Sequence, residues 1–226
     1  MKKAINWHIV WVGLYAVAMA YLEAAVVVYL RRIYGIGASI LVAPVFDPLI
    51  SAVEGGRELA TLVMLLTVGL LSGRDFRGRL GYFLFAFGVW DIFYYVWLRL
   101  LIGWPTSPLD VDLLFLLPLP WWGPVLAPCL IAGLMSLVGL GLVAPGGHGA
   151  EAKAGAIPWA ALALGALAML GAFMQDALLA LLSMGGPRGV ARPGPFDWPL
   201  FLAGFSLAIA GLAGAGWFRR SGLKTE

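Results

Sequence analysis

Residues 80–102 read LGYFLFAFGVWDIFYYVWLRLLI, a run with no proline and only two charges, Asp91 and Arg99. At ~1.5 Å per residue such a run covers the ~30 Å hydrocarbon core of a bilayer, so it reads as a membrane-spanning helix. Five further stretches have the same character: Ile5 to Leu30, Pro48 to Leu71, Gly123 to Val143, Ile157 to Met184 and Trp198 to Phe218. The second is broken by Glu54, Gly55, Gly56, Arg57 and Glu58, yet Asp47-Pro48 reads as a helix start and Ser72-Gly73 as its stop.

The bulk composition agrees. Of 226 residues 62% are hydrophobic and 12% charged, with mean hydropathy +0.91; soluble domains are roughly 45 to 50% apolar and about 25% charged. A water-soluble globule is excluded. The expected fold is all-α: a polytopic integral membrane protein, one transmembrane domain over residues 1–226, built as a six-helix bundle with interfacial segments on its outer side. Those segments are Ile33 to Phe46 and Trp104 to Trp122. The latter is broken by Pro105, Pro108, Pro118 and Pro120, and Trp104, Trp121 and Trp122 suit the headgroup boundary. Lys2 and Lys3 ahead of an apolar run, with Ala18-Met19-Ala20, resemble a signal peptide, but the run continues to Leu30 and is expected to be retained.

Lysine and arginine set the orientation. With the amino terminus inside, the inner side carries Lys2, Lys3, Arg74, Arg77, Arg79, Lys153, Arg219, Arg220 and Lys224, nine in all. The outer side carries six: Arg31, Arg32, Arg57, Arg99, Arg188 and Arg192. The expectation is a multi-pass inner-membrane protein with both termini cytoplasmic, Arg31 and Arg32 arguing the other way. The basic residues sit at helix ends, so no nucleic-acid partner is indicated. The single cysteine, Cys129, excludes an internal disulfide and a thiolate zinc site, and His8 and His148 cannot ligate a haem from two faces at mid-membrane depth.

A carboxylate at bilayer depth is unfavourable by ~2.5 to 3.5 kcal/mol on insertion scales, so it faces the bundle interior and finds a partner. Four have this problem. Counted from the outer end of each expected span, Glu23 lies ~10 Å down, Asp176 ~12 Å, Glu58 ~15 Å and Asp91 ~16 Å. Four spans thus contribute acids at one expected depth. The face of Glu23 carries Gly13, Ala16 and Ala20, and that of Asp176 carries Gly165, Ala172, Ala180 and Ser183, small residues that permit close packing. Glu58 lies on a stripe with Ser51, Glu54, Thr61 and Gly69, and Asp91 shares its side with Gly88, Tyr95 and Arg99. Tyr94, Tyr95, Thr61 and Gln175 are near enough in sequence to donate hydrogen bonds, and Arg57 and Arg99 to pair with an acid.

One reading is an internal clasp, the acids neutralised by arginine or protonated by burial. The other is a pocket whose surplus negative charge meets a ligand: Glu23, Glu58, Asp91 and Asp176, with Tyr95, Gln175, Arg57 and Arg99 around it. Carboxylates without histidine or thiolate suit a hard divalent cation, making the four acids candidate metal ligands. The aromatics Trp90, Phe93, Tyr94, Tyr95 and Trp97 suit an organic cation or cationic amphiphile, although residues at such spacing also face lipid. The leading expectation is binding or transport of a cation or cationic amphiphile. A membrane enzyme on a lipid-like substrate, with Glu23 and Asp91 as acid and base, is the second. A scaffold subunit of a larger membrane complex is the third, and the partners expected besides the lipid bilayer are such a complex or further copies of the chain. No metalloprotease, nucleophile-elbow, P-loop or dinucleotide motif is present.

The stretch Gly81 to Pro128, with Phe87-Gly88-Val89-Trp90-Asp91-Ile92-Phe93-Tyr94-Tyr95 and Leu117-Pro118-Leu119-Pro120-Trp121-Trp122-Gly123-Pro124, resembles bacterial multi-pass membrane proteins of no assigned activity. It covers about a fifth of the chain and implies a membrane location alone. Intramembrane acids beside aromatics are also similar to those of sterol-isomerase-like membrane proteins, an analogy of chemistry without a shared motif.

Overall fold

Asp75 opens the third helix. Its backbone is extended (φ −128°, ψ 171°) and its Oδ1 accepts from Gly78 N at 2.8 Å, so the helix begins at Phe76, four residues before the apolar run. It ends where Gly103 turns left-handed (φ 71°) and returns its N–H to the carbonyl of Arg99. The computed structural model describes residues 7–36, 48–116, 118–144, 155–182 and 194–217. Among them run α1 (Trp7–Ile33), α2 (Pro48–Ser72), α3 (Phe76–Ile102), β1 (Val111–Phe115), β2 (Trp121–Pro124), α4 (Leu126–Val143), α5 (Ala156–Leu182) and α6 (Trp198–Gly214). The segment Ile33 to Phe46 lies mostly outside the described residues, as do His148 and the expected span ends beyond residues 182 and 217.

Four of these helices, α1, α3, α4 and α5, are long and apolar enough to cross a membrane. Their outward faces keep large apolar side chains exposed, among them Trp11, Leu14 and Leu22 on α1 and Leu164, Leu167 and Leu179 on α5. Apolar surface of that extent is unfavourable in water and natural against lipid. The helices are compatible with an integral membrane protein. Helix α6 is equally apolar but shorter, and α2 carries Glu54, Arg57 and Glu58 in its first half.

Contacts divide the chain into two compact units. The first holds α1, α2 from Leu59 onward, α3 with the loop to Asp110, and α4 from Pro128. Here α1 and α3 run parallel: His8 meets Tyr82, Gly13 meets Phe85, and Tyr21 packs edge-on against Trp97, whose Nε1 donates to Val17 O at 3.0 Å. Helix α4 runs antiparallel to α3 at backbone contact. A Cβ on Gly88 would lie 2.2 Å from Ala132 O, and one on Gly139 2.5 Å from Gly81 O, so only glycine fits at this crossing.

The second unit holds the first turns of α2, the β1–β2 hairpin, α5 and α6. Gly165 and Gly204 bring α5 and α6 together antiparallel, and Asp197, whose Oδ1 accepts from Leu200 N, caps α6. Part of the expected segment Trp104 to Trp122 forms a hairpin. Val111 pairs with Pro124, Asp112 with Gly123 and Leu113 with Trp122, with a bulge before Phe115 and Trp121. The sequence signal was weak because prolines 118 and 120 fall in the connection, leaving strands of five and four residues. Trp121 stacks on Phe173 of α5, and Gly123 leaves room for that same ring. Asp112, Trp122, Gly123 and Pro124 of the hairpin are buried in protein contacts.

Candidate functional site

In the first unit, the buried stripe of α1 comprises Val12, Ala16, Met19, Ala20, Ala24 and Arg31. Glu23 flanks it, and its Oε2 accepts from Thr61 Oγ1 of α2 at 3.1 Å. The small residues expected around Glu23 do face the interior, and Thr61 is one of the four side chains expected to donate to an acid. The parallel register places Glu23 level with residues 97–99 of α3, ~10 Å beyond Asp91 along the helices. The shared depth counted from span ends therefore fails for this pair, because α1 and α3 are staggered. Asp91 lies one turn from Gly88, on the side of α3 that meets α4, and stands near Cys129.

Tyr95 is buried and forms aromatic pairs with Tyr94 and Trp104. Trp104, expected at the headgroup boundary, is 1% exposed, and the guanidinium of Arg31 lies 3.9 Å above its ring centroid. Arg31, counted by sequence among the outer charges, is thus buried; its helical phase, seven residues beyond Ala24, is the signal that places it inside. Arg99 points to the helix end, donating to Gly103 O, and its charge acts on Asp110. Asp110 Oδ2 accepts from Thr106 N, Thr106 Oγ1 and Ser107 N at 2.7, 2.8 and 3.1 Å. Slight burial pushes this carboxyl up, but the three hydrogen bonds and Arg99 outweigh it and hold the carboxyl below the usual aspartate range.

In the second unit, Arg57 Nε pairs with Glu54 Oε2 at 2.8 Å, one turn away on α2. Glu58, 5% exposed, accepts the backbone N–H of Leu116 with both oxygens, at 2.9 and 3.1 Å, and so ties α2 to the exit of β1. Asp176 accepts from Gly194 N at 3.0 Å, holding the segment that leads into α6. With Gln175, Val111, Trp122, Ala172 and Phe196 it lines a cleft of about 10 Å³, room for a single water. Asp112, missed by sequence reading, is 2% exposed on β1, and its place in the short Val111-Asp112-Leu113 alternation was the signal available.

The acids thus hold different local roles. Glu58 and Asp176 accept from backbone amides, as structural clasps do; Glu23 receives a neutral hydroxyl; Asp91 sits at the α3–α4 contact. Among the described residues, no three of His, Cys, Asp and Glu are grouped so as to hold a metal ion. Comparison with protein-family models, with curated proteins and with solved structures finds no match.

Proposed function

We propose that this protein binds a cation or cationic amphiphile inside the bilayer, with Glu23 and Asp91, ~10 Å apart along α1 and α3, as two anionic positions on its path. The observation that carries the reading is one acid near the middle of each of two membrane-length apolar helices, α1 and α3, which pack side by side. A carboxylate in that place opposes insertion, which supports a ligand site there. Two features favour an organic cation over a metal. The described residues offer no metal-holding group of acids, and the same unit already keeps a guanidinium on an indole face at Arg31 and Trp104. Glu58 and Asp176, engaged with backbone amides, serve to hold the second unit's hairpin and the approach to α6.

The proposal includes six crossings, an inner-membrane location and both termini cytoplasmic. Burial removes Arg31 from the outer-loop tally, leaving five basic residues outside against nine inside and strengthening that orientation. Tetraphenylphosphonium tests the reading. Protein in phosphatidylcholine nanodiscs should bind it saturably and discriminate against the uncharged triphenylphosphine oxide by about tenfold or more. Non-saturable uptake, or equal affinity for the neutral compound, contradicts a carboxylate site.

A further inference from the structure

We propose that the turn between α2 and α3 docks an anionic phospholipid, holding its phosphodiester by Arg74 and Arg77 and its acyl chains by Leu71 and Phe76. Residues 74–79 place three arginines against one acid, Asp75. That acid is committed to the helix cap through Gly78 N, and among the described residues none of Arg74, Arg77 and Arg79 forms an ion pair. The turn is closely packed: a Cβ on Gly73 would lie 2.1 Å from Arg79 N, and Arg79 Nε donates to Gly73 O at 3.4 Å. Arg77 Nε is shielded from solvent and meets no acceptor, whereas Arg74 is exposed. Leu71 and Phe76, each 81% exposed, flank the arginines. The contact of His8 with Tyr82 brings the amino end of α1 to this same end of the unit, with Trp7 and Trp11 exposed there.

Exposed tryptophans and unpaired arginines are the markers of a membrane–water boundary. At that boundary the partner that satisfies both halves of the patch is a lipid, its phosphate matching the planar fork of guanidinium and its chains matching leucine and phenylalanine. Inorganic phosphate matches only the first half. The inference stands apart from the cation site, since it uses none of the carboxylates.

The test is native mass spectrometry of the full chain in detergent, titrated with phosphatidylglycerol or phosphatidylcholine. Wild-type protein should retain phosphatidylglycerol preferentially. The pair Arg74→Gln and Arg77→Gln should weaken it by about fivefold per arginine, while Arg74→Lys with Arg77→Lys, which keeps the charge and loses the fork, should fall between the glutamine pair and wild type. Circular dichroism in phosphatidylcholine verifies folding of each variant. Should the glutamine pair not fold, wild-type protein in rising salt reads the same charge effect, and phosphatidylglycerol adducts should decline. Equal retention by the glutamine pair, retention indifferent to salt, or thermal stabilisation by inorganic phosphate equal to that by phosphatidylglycerol overturns the proposal.

Discussion

Replacing Glu58 by alanine removes both oxygens that accept the Leu116 N–H and leaves that donor facing the space of a 5%-exposed side chain. A hydrogen bond to a charged acceptor contributes ~1.5 to 3 kcal/mol, and an orphaned buried donor forfeits a similar amount. For a chain of this size the loss corresponds to a fall in Tm of roughly 3 to 12 °C. Glutamine keeps one carbonyl oxygen without the charge, so Glu58→Gln should lose about half as much. Leu116→Pro removes the donor instead of the acceptor. Combined with Glu58→Ala it should add little, because both changes delete one contact. The assay is thermal unfolding in detergent followed by tryptophan fluorescence, with hydrogen exchange at residues 113–116 reporting the hairpin directly. If Glu58→Ala matches wild type in both, the carboxylate does not clasp the hairpin and the division of roles among the acids is wrong.

Gly88→Ala should destabilise by ~1 to 3 kcal/mol, since its Cβ meets the unyielding Ala132 carbonyl at 2.2 Å; adding Ser136→Ala should relieve only the 2.3 Å contact with Ser136 Oγ and restore part of the loss, as equilibrium unfolding in detergent would record. Trp104→Ala should cost about 3 to 5 kcal/mol in the same assay through loss of a 1%-exposed indole and of the stack with Arg31. Asp110 supplies the pH dependence. Its folded-state pKa is lowered, so its contribution is complete above the unfolded value of ~3.9 and is lost as pH falls through the folded value. The protection of the Thr106 and Ser107 amides relative to their intrinsic exchange rates should therefore fall as the solution is acidified below about pH 4, and Asp110→Asn should abolish that change in protection.

Helix existence was legible in the apolar runs, because a span of bilayer length leaves few alternatives. Pro48 marked the start of α2, and Gly103 stopped α3 as its left-handed turn requires. The start of α3 was legible in principle at Asp75, but the charged Arg77 and Arg79 masked a capping signal that depends on one side chain. The hairpin was not legible: its stability rests on Phe173 of α5 and on Glu58 of α2, partners 50 to 58 residues distant that no local pattern announces. At the site, the inward face of Glu23 and its use of Thr61 followed from phase and residue type. Depth did not follow, since counting from helix ends ignores the stagger between α1 and α3. Arg99 shows the same limit, because a neighbour one or two turns away on the sequence was outcompeted by the helix-end carbonyl of Gly103.

The role of charge on α1 and α3 is tested most directly by isothermal titration of tetraphenylphosphonium into wild type, Glu23→Gln and Asp91→Asn, each paired with its thermal midpoint. The predicted result is at least about a tenfold loss of affinity in each variant, ~1.4 kcal/mol, with a midpoint close to that of wild type. Undiminished affinity beside a lowered midpoint would show that these acids fasten helices together and bind nothing.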